Sequence, residues 1–108
     1  MLLQHAVFIE KGSGKTDSGP IKNELHGRRL YLTVLSDGIP SLTVKVMTGD
    51  DPATGVWFDS PINLLDDSVD DSISVPGLYS VPMGGVRYVK VVNASADATM
   101  EVYGDIED

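Results

Sequence analysis

Hydrophobic and polar residues alternate along several short segments of this sequence, and a period of two is typical of a β-strand that buries one face. Residues 28–35 and 41–47 alternate most clearly, residues 86–92 also predict a strong strand, and further extended segments cover residues 3–10, 56–59, 73–75, 78–81 and 99–103. The pattern predicts an all-β fold of seven or eight short strands, arranged as an antiparallel β-sandwich or jelly roll, with a closed barrel as the alternative. The predicted hydrophobic centre consists of Leu30, Leu32, Val34, Leu42, Val44, Val46, Val89, Val91, Met100 and Val102.

Two connections between these strands carry their own predictions. Ser36-Asp37-Gly38 separates the two clearest strands, and Asp-Gly between two alternating runs predicts a β-hairpin. Residues 61–71 combine Leu64 and Leu65 with four aspartates and predict irregular structure or one helical turn.

Composition narrows the class of protein. A chain of 108 residues has room for one hydrophobic core, so residues 1–108 are expected to form a single domain. Cysteine is absent, which excludes thiol catalysis, thiolate metal sites and disulfides. The N-terminus lacks a basic segment before its apolar residues, and no apolar run approaches the roughly 20 residues that span a bilayer. We therefore expect a soluble protein without a signal peptide or a membrane partner.

The charge of the chain is unevenly distributed. The net charge is −8, which argues against nucleic acid as a partner because phosphates repel an acidic surface. Residues 11–29 nevertheless hold five basic side chains against two acidic ones, a net charge of +3. We predict a mobile basic loop or arm at about residues 11–27 that orders on an acidic neighbouring subunit; the alternative is that it folds back on its own acidic body. If the arm is mobile, its removal should leave the melting temperature nearly unchanged. The basic residues are Lys11, Lys15, Lys22, Arg28 and Arg29.

The sequence offers little catalytic chemistry. Gly12-Ser13-Gly14-Lys15-Thr16 resembles the end of a phosphate-binding loop, but Ile9 stands where that motif needs its first glycine, and Asp17-Ser18-Gly19-Pro20 is a poor helix start. His5 and His26 have no serine or aspartate constellation of a nucleophilic site near them in the sequence. We predict that the protein is not an enzyme and takes no cofactor.

Carboxylates are numerous but do not form a recognised metal motif. The alternate positions 66, 68, 70 and 72 suggest half a calcium loop, yet Asp71 stands where that loop needs glycine. Asp50, Asp51 and Asp59 could gather a Ca²⁺ ion with main-chain carbonyls, and the alternative is a solvated acidic loop. The prediction is that no metal is bound.

Trp57 is the only tryptophan and a candidate partner-binding residue. If Val56 and Phe58 point inward, Trp57 points outward and could form a platform with Tyr31 for a sugar ring or a protein. In the alternative, Trp57 belongs to the core and its neighbours are peripheral.

Two stretches of the chain carry a resemblance. One is Leu42-Thr43-Val44-Lys45-Val46-Met47-Thr48-Gly49-Asp50-Asp51, which runs into Trp57. The other is Gly84-Gly85-Val86-Arg87-Tyr88-Val89-Lys90-Val91-Val92, with Ala98 to Gly104 closing the chain. Together they resemble the sandwich domains of accessory proteins of tailed-bacteriophage virions, such as capsid decoration (cement) proteins and tail attachments. The pattern Arg-Tyr-Val-basic-Val also resembles discoidin-like and carbohydrate-binding sandwiches.

The resemblance implies a function but no particular site residues. It implies a non-enzymatic structural protein of the virion, made in the host cytoplasm, that binds and stabilises neighbouring capsid or tail subunits as a homo-oligomer such as a trimer. Candidate partner-binding residues are the five basic residues with Tyr31 and Trp57. The alternative function is a carbohydrate-binding module or receptor-binding adhesin domain.

Overall fold

The computed structural model describes residues 2–63 and 69–108, and every regular element in these ranges is a β-strand. Within them no helix is long and apolar enough to cross a membrane. The strands are β1 (Leu3–Ile9), β2 (Ile21–Lys22), β3 (Arg29–Leu35), β4 (Leu42–Met47), β5 (Phe58–Asp59), β6 (Ile62–Asn63), β7 (Val69–Asp70), β8 (Gly77–Pro82), β9 (Tyr88–Asn93) and β10 (Glu101–Glu107).

The strands form two antiparallel sheets packed face to face. The larger sheet has the order β1-β10-β3-β8-β6-β7, and the smaller has the order β2-β9-β4-β5. With the two-residue strands β6 and β7 set aside, the first strand lies beside the last and the second beside the penultimate, which is the arrangement of a jelly roll. The predicted all-β sandwich is therefore confirmed, and the two separate sheets replace the alternative of a closed barrel.

The space between the sheets is filled by the residues that alternation assigned to it. Nine of the ten predicted core residues are buried, and Val46 is partly buried against the same cluster. The cluster also includes Ile9, Ile62, Ile73, Met83 and Ile106, which are fully or almost fully buried. In β10 the inward position between Val102 and Ile106 is Gly104, where a Cβ would collide with the main-chain oxygen of Tyr31.

The predicted hairpin at Ser36-Asp37-Gly38 is wrong, because β3 and β4 lie in different sheets. β3 pairs with β10 and β8, whereas β4 pairs with β9 and β5. The turn makes its hydrogen bonds to the loop before β10: Ser36 Oγ donates to Asp97 Oδ2 at 2.7 Å, and the Asp37 N–H donates to Thr99 Oγ1 at 3.1 Å. These hydrogen bonds stabilise the turn, through which the chain crosses from the larger sheet to the smaller one.

Residues 10–23, here called the strap, run along the free edge of β9. The Asn93 N–H donates to Thr16 O at 2.7 Å, the Ser18 N–H donates to Val91 O at 3.0 Å, and β2 completes the pairing with Val89 and Tyr88. Gly12 N–H also donates to Ala98 O. The strap is thus packed on the body of the protein, as in the alternative in which the basic segment folds back. Its mobility in solution stays a prediction.

Residues 61–71 were predicted as irregular structure or a helical turn. The described part contains β6 and β7, which pair with each other at the edge of the larger sheet. Leu64, Leu65, Asp66 and Ser68 lie outside the described residues.

Candidate functional site

The predicted partner-binding residues do not form one patch. Lys11 and Lys15 lie at the exposed turn of the strap, at one end of the sandwich, and Lys22 lies at the opposite end in β2. Arg28 is exposed just before β3. Arg29 and Tyr31 stand on the outer face of the larger sheet and Trp57 on that of the smaller sheet.

Trp57 and Tyr31 therefore cannot form the expected platform, because the whole sandwich separates them. Trp57 is half-buried, its indole N–H donates to Pro52 O at 3.3 Å, and Lys90 Nζ lies 4.8 Å from the ring centroid. The expectation that Val56 and Phe58 point into the core is wrong as well, since their exposed fractions are 68% and 59%. The alternative, with Trp57 in the core, is also wrong, because the indole covers the outer surface of the smaller sheet.

The loop after β4 folds over that surface. Met47 is the register partner of Tyr88 and points away from the main core, yet only 1% of it is exposed. Gly55 lies so close above Met47 Sδ that a Cβ at this position would collide with it. The outer surface of the smaller sheet is thus occupied by the chain itself.

A cleft of about 500 Å³ opens at the end of the sandwich where β2 ends and β9 begins. It brings together side chains from three segments that are distant in the sequence. The lining residues are Lys22, Asn23, Glu24, His26, Asp50, Arg87 and Tyr88.

Asn23 builds one wall of this cleft. Its side chain is 97% buried; Nδ2 donates to Gly27 O at 3.0 Å and to Val86 O at 2.9 Å, while Oδ1 accepts from the Gly27 N–H at 2.8 Å. These bonds close residues 23–27 into a tight loop. His26 adopts a left-handed backbone conformation with φ of 50°, which a residue other than glycine rarely adopts without local support. The loop therefore presents the exposed side chains of Glu24 and His26 on a fixed frame.

The opposite wall of the cleft contains an arginine and an aspartate that pair with each other. Arg87 forms an ion pair with Asp50 and remains 57% exposed. Its main chain is held on both sides, since the Asn23 N–H donates to Arg87 O at 2.8 Å and the Arg87 N–H donates to Met47 O at 2.9 Å. Lys22 and Arg87 balance Glu24 and Asp50, so the lining of the cleft is formally neutral on a protein with a net charge of −8.

Of the cleft residues, only Lys22 and Asp50 were named as candidate binding residues by sequence reasoning. The pairing of Asn23 with Gly27 has a local signal, because asparagine often hydrogen-bonds to main chain a few residues away. Asp50 and Arg87 are 37 residues apart, and only the fold brings them together.

A second exposed surface, here called the outer face, lies on the larger sheet. It consists of the outward residues of β1, β10, β3 and β8. The apolar side chains Val7, Tyr31, Leu35 and Leu78 have exposed fractions of 47%, 47%, 45% and 53%. Since the main chain here is paired within the sheet, contact with another molecule would be made by side chains.

The carboxylates proposed as Ca²⁺ ligands each have another partner. Asp50 pairs with Arg87, Asp59 Oδ1 lies 2.7 Å from Lys45 Nζ, and Asp51 accepts from the Ala53 N–H at 2.9 Å. Across the residues that the structure describes, no three histidine, aspartate or glutamate side chains form a group that could hold a metal ion.

His5 does acquire an acidic neighbour in the fold, which the sequence did not reveal. Its Nδ1 lies 3.0 Å from Asp105 Oδ1, and both side chains are exposed. The next residue in this row of the sheet is Tyr31, and Ser80 follows two strands from Asp105, about 10 Å away at ordinary strand spacing. Ser80 is therefore too far from the pair to form a serine–histidine–aspartate arrangement with it.

The fold and the two exposed surfaces define a small jelly-roll domain that presents a polar cleft at one end and an apolar face on one side. No protein-family model and no curated protein sequence matches the chain. Among solved structures, it is similar to the SPBc2 prophage-derived protein YomS, with a TM-score of 0.78 and 16% sequence identity, over 96% of this chain and 91% of YomS. At this identity the likeness shows a shared fold.

Proposed function

We propose that this chain is a bacteriophage structural protein without catalytic activity, which attaches to subunits of the virion as a capsid decoration (cement) or tail accessory protein. Two findings support a phage origin: the sequence resembles accessory sandwich domains, and the fold matches a prophage-derived protein over nearly its whole length. The observation that carries the proposal is the cleft, a concave and formally neutral surface with two exposed basic side chains, Lys22 and Arg87, on an otherwise acidic protein.

The cleft suits an acidic loop or chain end of a neighbouring subunit. Lys22 and Arg87 would pair with its carboxylates, and the rigid loop at Asn23 would fix its position. Charge complementarity of this kind selects the partner and sets its orientation more than it raises the affinity. The acidic remainder of the surface would face solvent and keep the assembled particle soluble.

The absence of catalysis is part of the proposal. His5 and Asp105 lie exposed on the outer surface of the larger sheet, and Ser80 stands two strands away from Asp105. An assay for hydrolysis of ester, peptide and glycoside substrates is expected to show no turnover.

The test has two arms. Mass spectrometry of purified particles of the encoding phage should detect the chain as a virion component. Recombinant protein should then co-sediment with particles that lack it, and Lys22→Glu should weaken this binding at least tenfold.

Lys15→Glu is the matched control, because it reverses the same charge at the opposite end of the molecule. If Lys15→Glu weakens binding and Lys22→Glu does not, attachment is through the strap turn rather than the cleft. Absence of the chain from particles would overturn the virion assignment.

Tyr88 in the cleft favours one alternative, a carbohydrate-binding or receptor-binding domain, since an aromatic ring among charged side chains can hold a sugar. A glycan array distinguishes the two functions. Glycan binding that is lost in Tyr88→Ala, without co-sedimentation with particles, would favour the carbohydrate-binding function.

A further inference from the structure

The outer face has an apolar half and a charged half. Strand registers place its outward residues in rows that run across β1, β10, β3 and β8. The rows are Leu3, Glu107, Arg29 and Pro82; His5, Asp105, Tyr31 and Ser80; Val7, Tyr103, Thr33 and Leu78; and finally Glu101 with Leu35.

The apolar half is unlike an ordinary solvated sheet surface. The row that begins with Val7 contains no charged residue, and Tyr31 and Leu35 flank it. Aromatic and aliphatic side chains that stay about half exposed, rimmed by charges, are typical of protein interfaces. The smaller sheet offers a contrast within the same molecule, because the Trp57 loop covers its outer surface.

Two copies of the chain can stack these faces about a twofold axis that is parallel to the strands and lies between β10 and β3. This rotation keeps each row at its own height and exchanges β10 with β3 and β1 with β8. Val7 then faces Leu78 of the partner subunit, and Arg29 faces Glu107 of the partner subunit. In the row of His5, Asp105 faces Tyr31 of the partner subunit and His5 faces Ser80 of the partner subunit, while in the last row Glu101 faces Leu35 of the partner subunit. With the strands of the two copies aligned, no like charges face each other.

The other twofold axis in the plane of the face, perpendicular to the strands, gives a worse match. It keeps each strand over its own copy and reverses the order of the rows. Glu101 would then face Glu107 of the partner subunit, and Arg29 would face Leu35 of the partner subunit. Like charges that face each other at an interface are unfavourable, so the axis parallel to the strands is preferred.

The outline of the face, about 460 Å², is a little over half of the roughly 800 Å² that a standard interface takes from each partner. Four strands about 4.8 Å apart and seven residues long make a face of roughly 19 Å by 24 Å. The molecule has a surface of 5975 Å² and extents of 33 × 33 × 23 Å. Packed sheets cross at about 30°, which shifts the end rows laterally by about one strand spacing. Arginine and glutamate side chains are long enough to span that shift.

We propose that this chain forms a twofold-symmetric dimer through the outer face, with Arg29 of each copy paired to Glu107 of the partner subunit around a centre of Val7, Tyr31, Tyr103 and Leu78. Within one chain the Arg29 guanidinium donates to Ser80 Oγ at 3.0 Å, and Glu107 forms no ion pair with the described residues. The dimer gives both charges a partner. It does not depend on attachment to a virion, so each proposal can fail without the other.

The first test is the mass of the isolated protein in solution, measured by analytical ultracentrifugation across a concentration series. Wild-type protein should sediment at twice the chain mass of 11.6 kDa. Leu78→Asp should raise the dissociation constant at least tenfold. The control Val56→Asp replaces another exposed apolar residue, on the opposite side of the sandwich, and should leave the dimer intact. Circular dichroism confirms that each variant is folded.

The second test distinguishes this twofold arrangement from any other use of the face. Arg29→Glu alone places two carboxylates opposite each other across the axis, and Glu107→Arg alone does the same with two guanidinium groups, so both variants should be largely monomeric. In an equimolar mixture the heterodimer has opposite charges at both 29–107 contacts across the axis, so association should recover. Because mixing leaves each chain's own contacts unchanged, recovery reports the contact between chains. A monomeric wild-type protein, a dimer that survives Leu78→Asp, or a mixture that stays monomeric would overturn the proposal.

Discussion

The Asn23 side chain gives the sharpest test of how this fold supports its cleft. Replacing Asn23 with alanine removes three hydrogen bonds and leaves the Gly27 N–H, Gly27 O and Val86 O without these partners. At about 1 kcal/mol for each bond, the loss is about 3 kcal/mol in the free energy of unfolding. For a domain of this size, 1 kcal/mol corresponds to roughly 4 °C, so the melting temperature should fall by about 12 °C.

Asn93→Ala is a matched control, because Asn93 is equally buried at 3% exposure and loses the same atoms. Its amide nitrogen donates to Ser95 O and contacts Met100 Sδ, while its Oδ1 has no hydrogen-bond partner among the described residues. We expect a loss of about 1 kcal/mol. Asn23→Asp keeps the volume of the side chain but faces two carbonyl oxygens with a carboxylate, so it should destabilise at least as much as Asn23→Ala.

Thermal denaturation followed by circular dichroism measures all three variants. Equal losses for Asn23→Ala and Asn93→Ala would show that burial alone, and not the hydrogen bonds, determines the effect. The reasoning that the cleft wall is rigid would then be refuted.

Three further changes test other parts of the structure. Val44 is fully buried, so Val44→Asp should cost several kcal/mol and unfold the domain, and a wild-type melting curve would contradict the core. Hydrogen bonds from the side chain of Thr99, from Ser36 and from the Thr99 N–H lower the pKa of Asp97 below its ordinary value of 3.8. Its stabilising effect is therefore present above pH 3.8 and lost as the pH falls through the lowered pKa; Asp97→Asn should destabilise the protein at pH 7, and the difference from wild type should shrink in acid titrations. Deleting residues 12–23 should lower the melting temperature, contrary to the expectation for a mobile arm, because it exposes the edge of β9; an unchanged melting temperature would show that the strap contacts are not stabilising.

The sequence by itself determined the longer strands and the faces that they bury, but not the two-residue strands β2, β6 and β7 or the face of Val56 and Phe58. Alternation at Leu30, Leu32 and Val34 assigned their side chains to the core, and the structure agrees. This information is local, because successive side chains of a strand point to opposite sides whatever the strand pairs with. The same property explains why the fold class could be predicted without knowing the order of the strands.

Pairing between strands could not be read from alternation, and Asp37-Gly38 shows why. A short turn between two amphipathic strands is compatible with a hairpin or with a crossing between sheets. The choice depends on partners elsewhere, here Asp97 and Thr99, which are about 60 residues away. The position of the strap could not be predicted from the sequence for a similar reason. Main-chain hydrogen bonds to β9 hold it in place, and such bonds require no pattern of apolar residues.

Only the tertiary structure decided where the candidate sites lie. Lys22, Asp50 and Arg87 come from three separate segments and meet because β2 and β4 flank β9 in one sheet. The outer face likewise combines β1 with β10, whose paired residues Leu3 and Glu107 are 104 positions apart. A sequence pattern records which side of a strand is apolar, but the position of that side relative to distant strands depends on the free energy of the whole packed chain.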